Sequence, residues 1–153
     1  MEVRIDNINI KLCDNVRRDL NSIYLSNQMF ETGGILLGRF SKSLDLIEIC
    51  EAYEIKTGLF SKMYYKRNVK RAQKIIDTRW IESDGEINYL GEWHTHPNMR
   101  AFASSTDINS IKNLLHKVGF EIPCVVMLIL GKDRETNLVI GKGGKINAFI
   151  FNR

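Results

Sequence analysis

No stretch of this 153-residue chain approaches the roughly 18 consecutive apolar residues that let a helix cross a bilayer. The first residues, Met1-Glu2-Val3-Arg4-Ile5-Asp6, lack the basic segment and apolar run of a secretory leader, so a cytoplasmic location is expected and a membrane partner is not. Cysteine is scarce. Cys13, Cys50 and Cys124 are far apart and form no Cys-x-x-Cys pair, which argues against a disulfide framework and for reduced thiols. Cys124 opens the apolar run Cys124-Val125-Val126-Met127-Leu128-Ile129-Leu130 and reads as core. Low-hydrophobicity tracts, repeats and linkers are absent as well. With 44% hydrophobic and 26% charged residues the composition is that of a folded globular chain, and the length suits one domain over residues 1–153 with one core.

The formal net charge is +4, and cations concentrate in residues 62–79, among them Lys66, Arg67, Lys70, Arg71 and Lys74. A nucleic-acid footprint is basic in this way, but so is a solvated helix face. No nucleic-acid motif accompanies the cluster and its aromatics are only partly interleaved with the charges, so nucleic acid is not expected as a partner.

Val16, Leu20, Ile23 and Tyr24 recur at helical spacing after Asp14 or Asn15, either of which suits an N-cap, and predict a helix over residues 15–28. Gly33-Gly34-Ile35-Leu36-Leu37-Gly38-Arg39 reads as a buried strand, and residues 44–55 as its hairpin partner. Residues 56–65 have no period; a loop or edge strand is expected there, pairing with a substrate tail near Phe60 and Met63. A second helix is predicted over residues 67–81 with Val69, Ala72, Ile75, Ile76 and Trp80 on its buried face. Strands follow at residues 87–95, 124–130, 137–141 and 145–151, and Pro97 is expected to interrupt the first of these. A third helix over residues 106–118 starts after the capping residues Ser104-Ser105-Thr106-Asp107. Helices interleaved with strands predict an α/β or α+β domain with a mixed sheet.

Chemistry concentrates in Gly91-Glu92-Trp93-His94-Thr95-His96-Pro97 and the Ser104-x-x-Asp107 that follows. Residues two apart on a strand face the same side, so His94 and His96 present their imidazoles together while Trp93 and Thr95 point away. Pro97 turns the chain, and the loop is long enough to return Asp107 beside them in the first turn of a helix, where the helix dipole favours a carboxylate. Three protein ligands with no fourth nearby is the pattern of a catalytic zinc site. A hydrolytic centre also needs a base. Glu31, at the mouth of the Gly33–Arg39 strand, is a candidate; Glu92, with the strand parity of the histidines, is its competitor. His116, well over a turn beyond Asp107, is read as structural. If five specified positions were each filled at about one in twenty, His-x-His-Pro-x6-Ser-x-x-Asp would arise by chance in roughly one such chain in twenty thousand.

Glu31 followed by Thr-Gly-Gly-Ile-Leu-Leu-Gly, then His94-x-His96-Pro97-x6-Ser104-x-x-Asp107, resembles the full JAMM/MPN+ metallopeptidase signature in the right order. The resemblance implies a curved mixed sheet flanked by helices, the JAB1/MPN fold, similar to cytidine deaminases. It implies His94, His96 and Asp107 as ligands of one Zn2+ per chain, Glu31 as acid/base, and the Ser104 hydroxyl as a donor to the oxyanion. The short prokaryotic branch, Prok-JAB, is the nearest match, and Tyr89-Leu90-Gly91-Glu92-Trp93-His94-Thr95-His96-Pro97 is similar to the deconjugating peptidases of bacterial CBASS anti-phage and related ubiquitin-like operons. The implied substrate is a ubiquitin-like protein or its conjugate, cleaved after its C-terminus, with E1- and E2-like proteins of the same operon as partners. Asn98 departs from the His-x-His-Pro-Ser-Gly of the RadC-like branch, and no large insertion of the kind that selects a polyubiquitin linkage is present. A non-catalytic MPN-type scaffold and a nucleic-acid binder using residues 62–79 are the alternatives; the intact ligand set speaks against the first, and the basic cluster alone supports the second.

Overall fold

The computed structural model describes residues 1–55, 68–118 and 122–152. Alternating apolar residues near the N-terminus, Val3, Ile5, Ile8, Ile10 and Leu12, are all buried and form a hairpin of β1 (Glu2–Ile5) and β2 (Ile8–Leu12). Sequence reading did not anticipate this hairpin. It is followed by α1 (Asp14–Ser26), β3 (Gly33–Phe40), β4 (Leu46–Glu54), α2 (Val69–Glu82), β5 (Asn88–Thr95), α3 (Ser105–Val118), β6 (Val125–Leu130), β7 (Glu135–Lys142) and β8 (Lys145–Asn152).

The strands make one mixed sheet in the order β1-β2-β4-β3-β5-β6-β7-β8, parallel at β2–β4 and β5–β6 and antiparallel elsewhere. The sheet is strongly curved: Lys142 at the end of β7 bridges Asp6 in the β1–β2 turn at 2.9 Å, and Val3 and Ile5 share a core cluster with Leu138 and Ile140. α1 fills the same cluster with Val16, Leu20 and Tyr24. On the other face, Ile111 of α3 packs on Met127, Ile129 and Val139, and Ala72 of α2 packs on Ile35 and Leu37. The mixed α/β architecture expected from the sequence is the one observed.

Several local expectations need correction. α1 is capped by Cys13 without a side-chain bond, and Asp14 instead sits in the first turn beside Arg17 at 3.3 Å. On α2 only Ala72 is buried, while Val69 and Trp80 are 63% and 53% exposed. The helix rests on the sheet through Ala72, Ile75 and Ile76, as expected, and the Trp80 indole lies over Gly85 in the following turn rather than on the core. The expected interruption at Pro97 is observed: β5 ends at Thr95, and the last rung to β6 is the His96 N–H donating to the Leu130 carbonyl at 2.8 Å. The expected substrate-pairing segment at residues 56–65, with Phe60 and Met63, lies outside the described residues.

Candidate metal centre

β5 sets the geometry. Its parallel register with β6 places Trp93 opposite Leu128 and His94 opposite Ile129. Leu128 belongs to the cluster around α1 and Ile129 to the cluster under α3, so His94 and His96 project toward α3 while Trp93 and Thr95 project the other way, both fully buried. Trp93 anchors this register: it is 0% exposed and its Nε1 donates to the Tyr53 carbonyl at 3.3 Å. Truncating so large a core side chain costs about 3–5 kcal/mol.

The loop after His96 is held by β7. Arg100 Nε donates to Glu135 Oε1 at 2.9 Å and the Ala101 N–H to Glu135 Oε2 at 3.1 Å. The loop lies so close to Gly131 that a Cβ there would come within 2.4 Å of the Ala101 nitrogen. The loop delivers Ser104 as N-cap of α3 and Asp107 three residues later, which form a reciprocal capping box. The Asp107 N–H donates to Ser104 Oγ at 3.2 Å, and Asp107 Oδ2 accepts from the Ser104 N–H and hydroxyl, each at 2.7 Å. Oδ1 faces the histidines, 3.3 Å from His94 Nε2, and Oδ2 lies 3.8 Å from His96 Nε2.

His94, His96 and Asp107 thus offer three ligand atoms all within 4.8 Å of one another. The two Nε2 atoms are 3.1 Å apart. His96 Nδ1 lies 3.3 Å from the Arg100 carbonyl, which as an acceptor selects the Nδ1–H tautomer and leaves the Nε2 lone pair facing the site. Burial drives the His94 pKa down to about 4 against the opposing pull of Asp107, with His96 adding to the fall, so His94 is a neutral lone-pair donor at pH 7. Two imidazole nitrogens and one carboxylate oxygen converging on one point suit zinc, and three protein ligands leave a coordination position free.

Glu31 lies on the continuation of β3. Gly33 pairs with His94, and one residue earlier Thr32 is latched to Thr95: its N–H donates to Thr95 Oγ1 at 3.0 Å and its carbonyl accepts the Thr95 N–H at 2.8 Å. By register Glu31 falls opposite His96. Gly33 is required for this approach, since a Cβ there would sit 2.5 Å from the Trp93 carbonyl oxygen and 3.0 Å from the His94 Cβ. Burial raises the pKa of Glu31, opposed by His96 and reinforced by Asp107. Glu92 does share the face of His94, but its Oε1 accepts from the Tyr89 hydroxyl at 3.4 Å. Among the described residues neither glutamate nor His116, in the last turn of α3, belongs to the metal-competent group. Of the basic cluster, Lys70, Arg71 and Lys74 are exposed on α2, whereas Arg79 is committed to Glu51 at 2.6 Å.

Sequence reasoning missed Thr32, Thr95, Asn98 and Glu135 as supports. Asn98, at φ 58°, donates from Nδ2 to the Gln28 carbonyl at 3.3 Å and ties the two loops of the site together. The period-2 pattern turned Thr95 away from the histidines, but its partner became visible only with the register of β3.

The family described as prokaryotic homologs of the JAB domain matches residues 23–140. The chain belongs to this JAB/MPN family. Its relatives include proteins named CD-NTase/cGAS isopeptidase from Enterobacter hormaechei, 31% identical over 67% of this chain and 56% of that one, and from Pseudomonas aeruginosa, 30% identical over 79% and 76%. The match thus spans little more than half the length of the first. The solution structure of a protein from Desulfitobacterium hafniense superposes with a TM-score of 0.64 over 92% of this chain and 89% of its own, at 17% identity, and supports the fold.

Proposed function

We propose that the chain is a zinc-dependent isopeptidase that hydrolyses the amide bond after the C-terminus of a ubiquitin-like protein or its conjugate. The observation that carries this reading is the convergence of His94, His96 and Asp107 on one point, with Thr32 latched to Thr95 and Glu31 next in register, opposite His96. Zinc, when bound, polarises a carbonyl and acidifies water at neutral pH. Glu31, half-buried and raised in pKa, takes a proton from the attacking water and returns it to the departing amine. The Ser104 hydroxyl rotates its hydrogen from Asp107 to the developing oxyanion, while the Ser104 N–H keeps Asp107 in place. The name of the relatives, CD-NTase/cGAS isopeptidase, supports a CD-NTase conjugate as substrate; a role in CBASS anti-phage defence, with E1- and E2-like proteins supplying the conjugate, is part of the proposal and rests on the sequence resemblance.

The test is cleavage of a ubiquitin-like fusion and of an isopeptide conjugate by the purified chain. Activity is expected to vanish on chelation and return with zinc at about one equivalent per chain. Protein never exposed to chelator that carries no metal, or that cleaves equally well in chelator, overturns the reading.

A further inference from the structure

Cys13 and Cys50 are side by side although 37 positions separate them. β2 and β4 are parallel with Leu12 opposite Ile49, and the Cys13 N–H donates to the Ile49 carbonyl at 3.1 Å, so Cys13 and Cys50 are the next pair in register. Their sulfurs are 3.8 Å apart, with the Cys13 thiol directed at Cys50 Sγ. Neighbouring strands run about 4.8 Å apart, inside the ~4.4–6.8 Å Cα spacing of disulfides. Closing the sulfurs to about 2.05 Å therefore needs side-chain rotation and no change of register. Local slack exists: β3 pairs Leu37 with Glu51 and Gly38 with Ile49, which leaves Cys50 as the extra residue of a bulge. Both thiols are half-buried and free, whereas Cys124 is sealed in the core at 2% exposure.

We propose that Cys13 and Cys50 are an oxidative modification site, a pair that closes to an intramolecular disulfide when the chain meets a low-molecular-weight disulfide such as oxidised glutathione. The Cys13 thiolate attacks one sulfur of the small disulfide, expels one molecule of its thiol and becomes a mixed disulfide. Cys50 gives its proton to solvent and attacks the Cys13 sulfur, expelling the second thiol. The protein thereby loses two electrons and two protons, and the small disulfide is reduced to two thiols. Cys50 is the resolving partner because burial, and then neighbouring Cys13, push its thiol up to about 12. The contribution of Cys13 disappears once that sulfur is capped. The ring so closed contains α1, the Glu31 loop and β3, and it pins the start of α1 to β4. A loop of this length shifts the folding equilibrium toward the native state by on the order of 10³-fold.

The site stands independently of the hydrolase reading, and its test needs no substrate. The full chain is incubated with oxidised glutathione, unfolded, alkylated with N-ethylmaleimide without reduction, and digested for mass spectrometry. A peptide joining Cys13 to Cys50 is expected, with alkylation confined to Cys124, and the urea midpoint of the oxidised chain should fall when dithiothreitol is added. Cys50→Ser should stop at a glutathione adduct on Cys13, and Cys13→Ser should leave the Cys50 thiol free. Three thiols still alkylated in the treated parent, a stable glutathione adduct without the cross-link, or a cross-link between two chains would each overturn the proposal.

Discussion

Replacing Thr95 with valine removes one oxygen from a fully buried residue that is not among the three candidate ligands, yet it tests how Glu31 is held opposite His96. The exchange nearly conserves volume and opens no cavity. It deletes the acceptor of the Thr32 N–H at 3.0 Å and the weaker 3.4 Å bond from the Thr95 hydroxyl to the Thr32 carbonyl. The half-buried Thr32 N–H is left unpaired, at about 1–3 kcal/mol. The 2.8 Å bond from the Thr95 N–H to the Thr32 carbonyl survives, so the histidines should keep their metal. If about 1.4 kcal/mol of the loss falls on the placement of Glu31 in the transition state, kcat drops roughly tenfold; a displacement of about 1 Å takes it toward 10²-fold. Steady-state kinetics on a ubiquitin-like fusion, elemental analysis and a urea melt separate these effects, and Thr95→Ser, which restores the oxygen, should rescue kcat. A Thr95→Val enzyme that is less stable but turns over at the parental rate would show that this latch does not position Glu31.

Asp107→Asn should lose metal and activity together, since the only anionic ligand becomes neutral, as metal titration will show. Glu31→Gln should retain metal while turnover falls by about 10²–10⁴-fold; near-parental turnover there, with Glu92→Gln inactive, would transfer the base assignment to Glu92. Gly33→Ala should cost about 1–3 kcal/mol and weaken metal binding, because its Cβ meets the Trp93 carbonyl and the His94 Cβ; parental metal affinity would contradict the close approach. Arg79 and Tyr53 both hold the Glu51 pKa below the usual carboxylate range. A depressed carboxylate stabilises fully above its unfolded pKa and loses that contribution as pH falls through the folded value. The stability gap between the parent and Arg79→Gln, measured by urea melts, should therefore be widest near neutral pH and shrink in acid.

What the sequence disclosed follows the range of the interactions involved. The partition of His94 and His96 from Trp93 and Thr95 depends on strand parity, and the Ser104–Asp107 cap on a spacing of three, so both were legible. The β1–β2 hairpin was not, although Val3, Ile5, Ile8, Ile10 and Leu12 alternate about as strands should, because its strands of four and five residues leave little periodicity to read. The exposed face of α2 was misread for a different reason. Its apolar residues do recur at helical spacing, but only Ala72, Ile75 and Ile76 pack on the sheet, while Val69 and Trp80 at its two ends stay exposed. The site supports Thr32, Asn98 and Glu135 act across separations of 63, 70 and 34 residues, and such pairings exist only once the sheet order is fixed.

Asp107 shows why the centre and the start of α3 form one unit. A carboxylate has two oxygens, and here they are divided: Oδ2 completes the capping box with Ser104, and Oδ1 is left directed at His94. The cap gains a negative charge in the first turn of the helix, where free N–H groups favour it. The same two bonds restrict the carboxylate to one rotamer, so a ligand atom is aimed at the histidines before any metal arrives. His96 is prepared in a similar way by the Arg100 carbonyl, and Arg100 is itself fixed by Glu135. His94 is held by packing on β5 between β3 and β6, and its burial keeps it neutral. The three candidate ligands are thus preorganised by three different means, a helix cap, a tautomer-selecting carbonyl and a packed strand, and each means is also part of the fold.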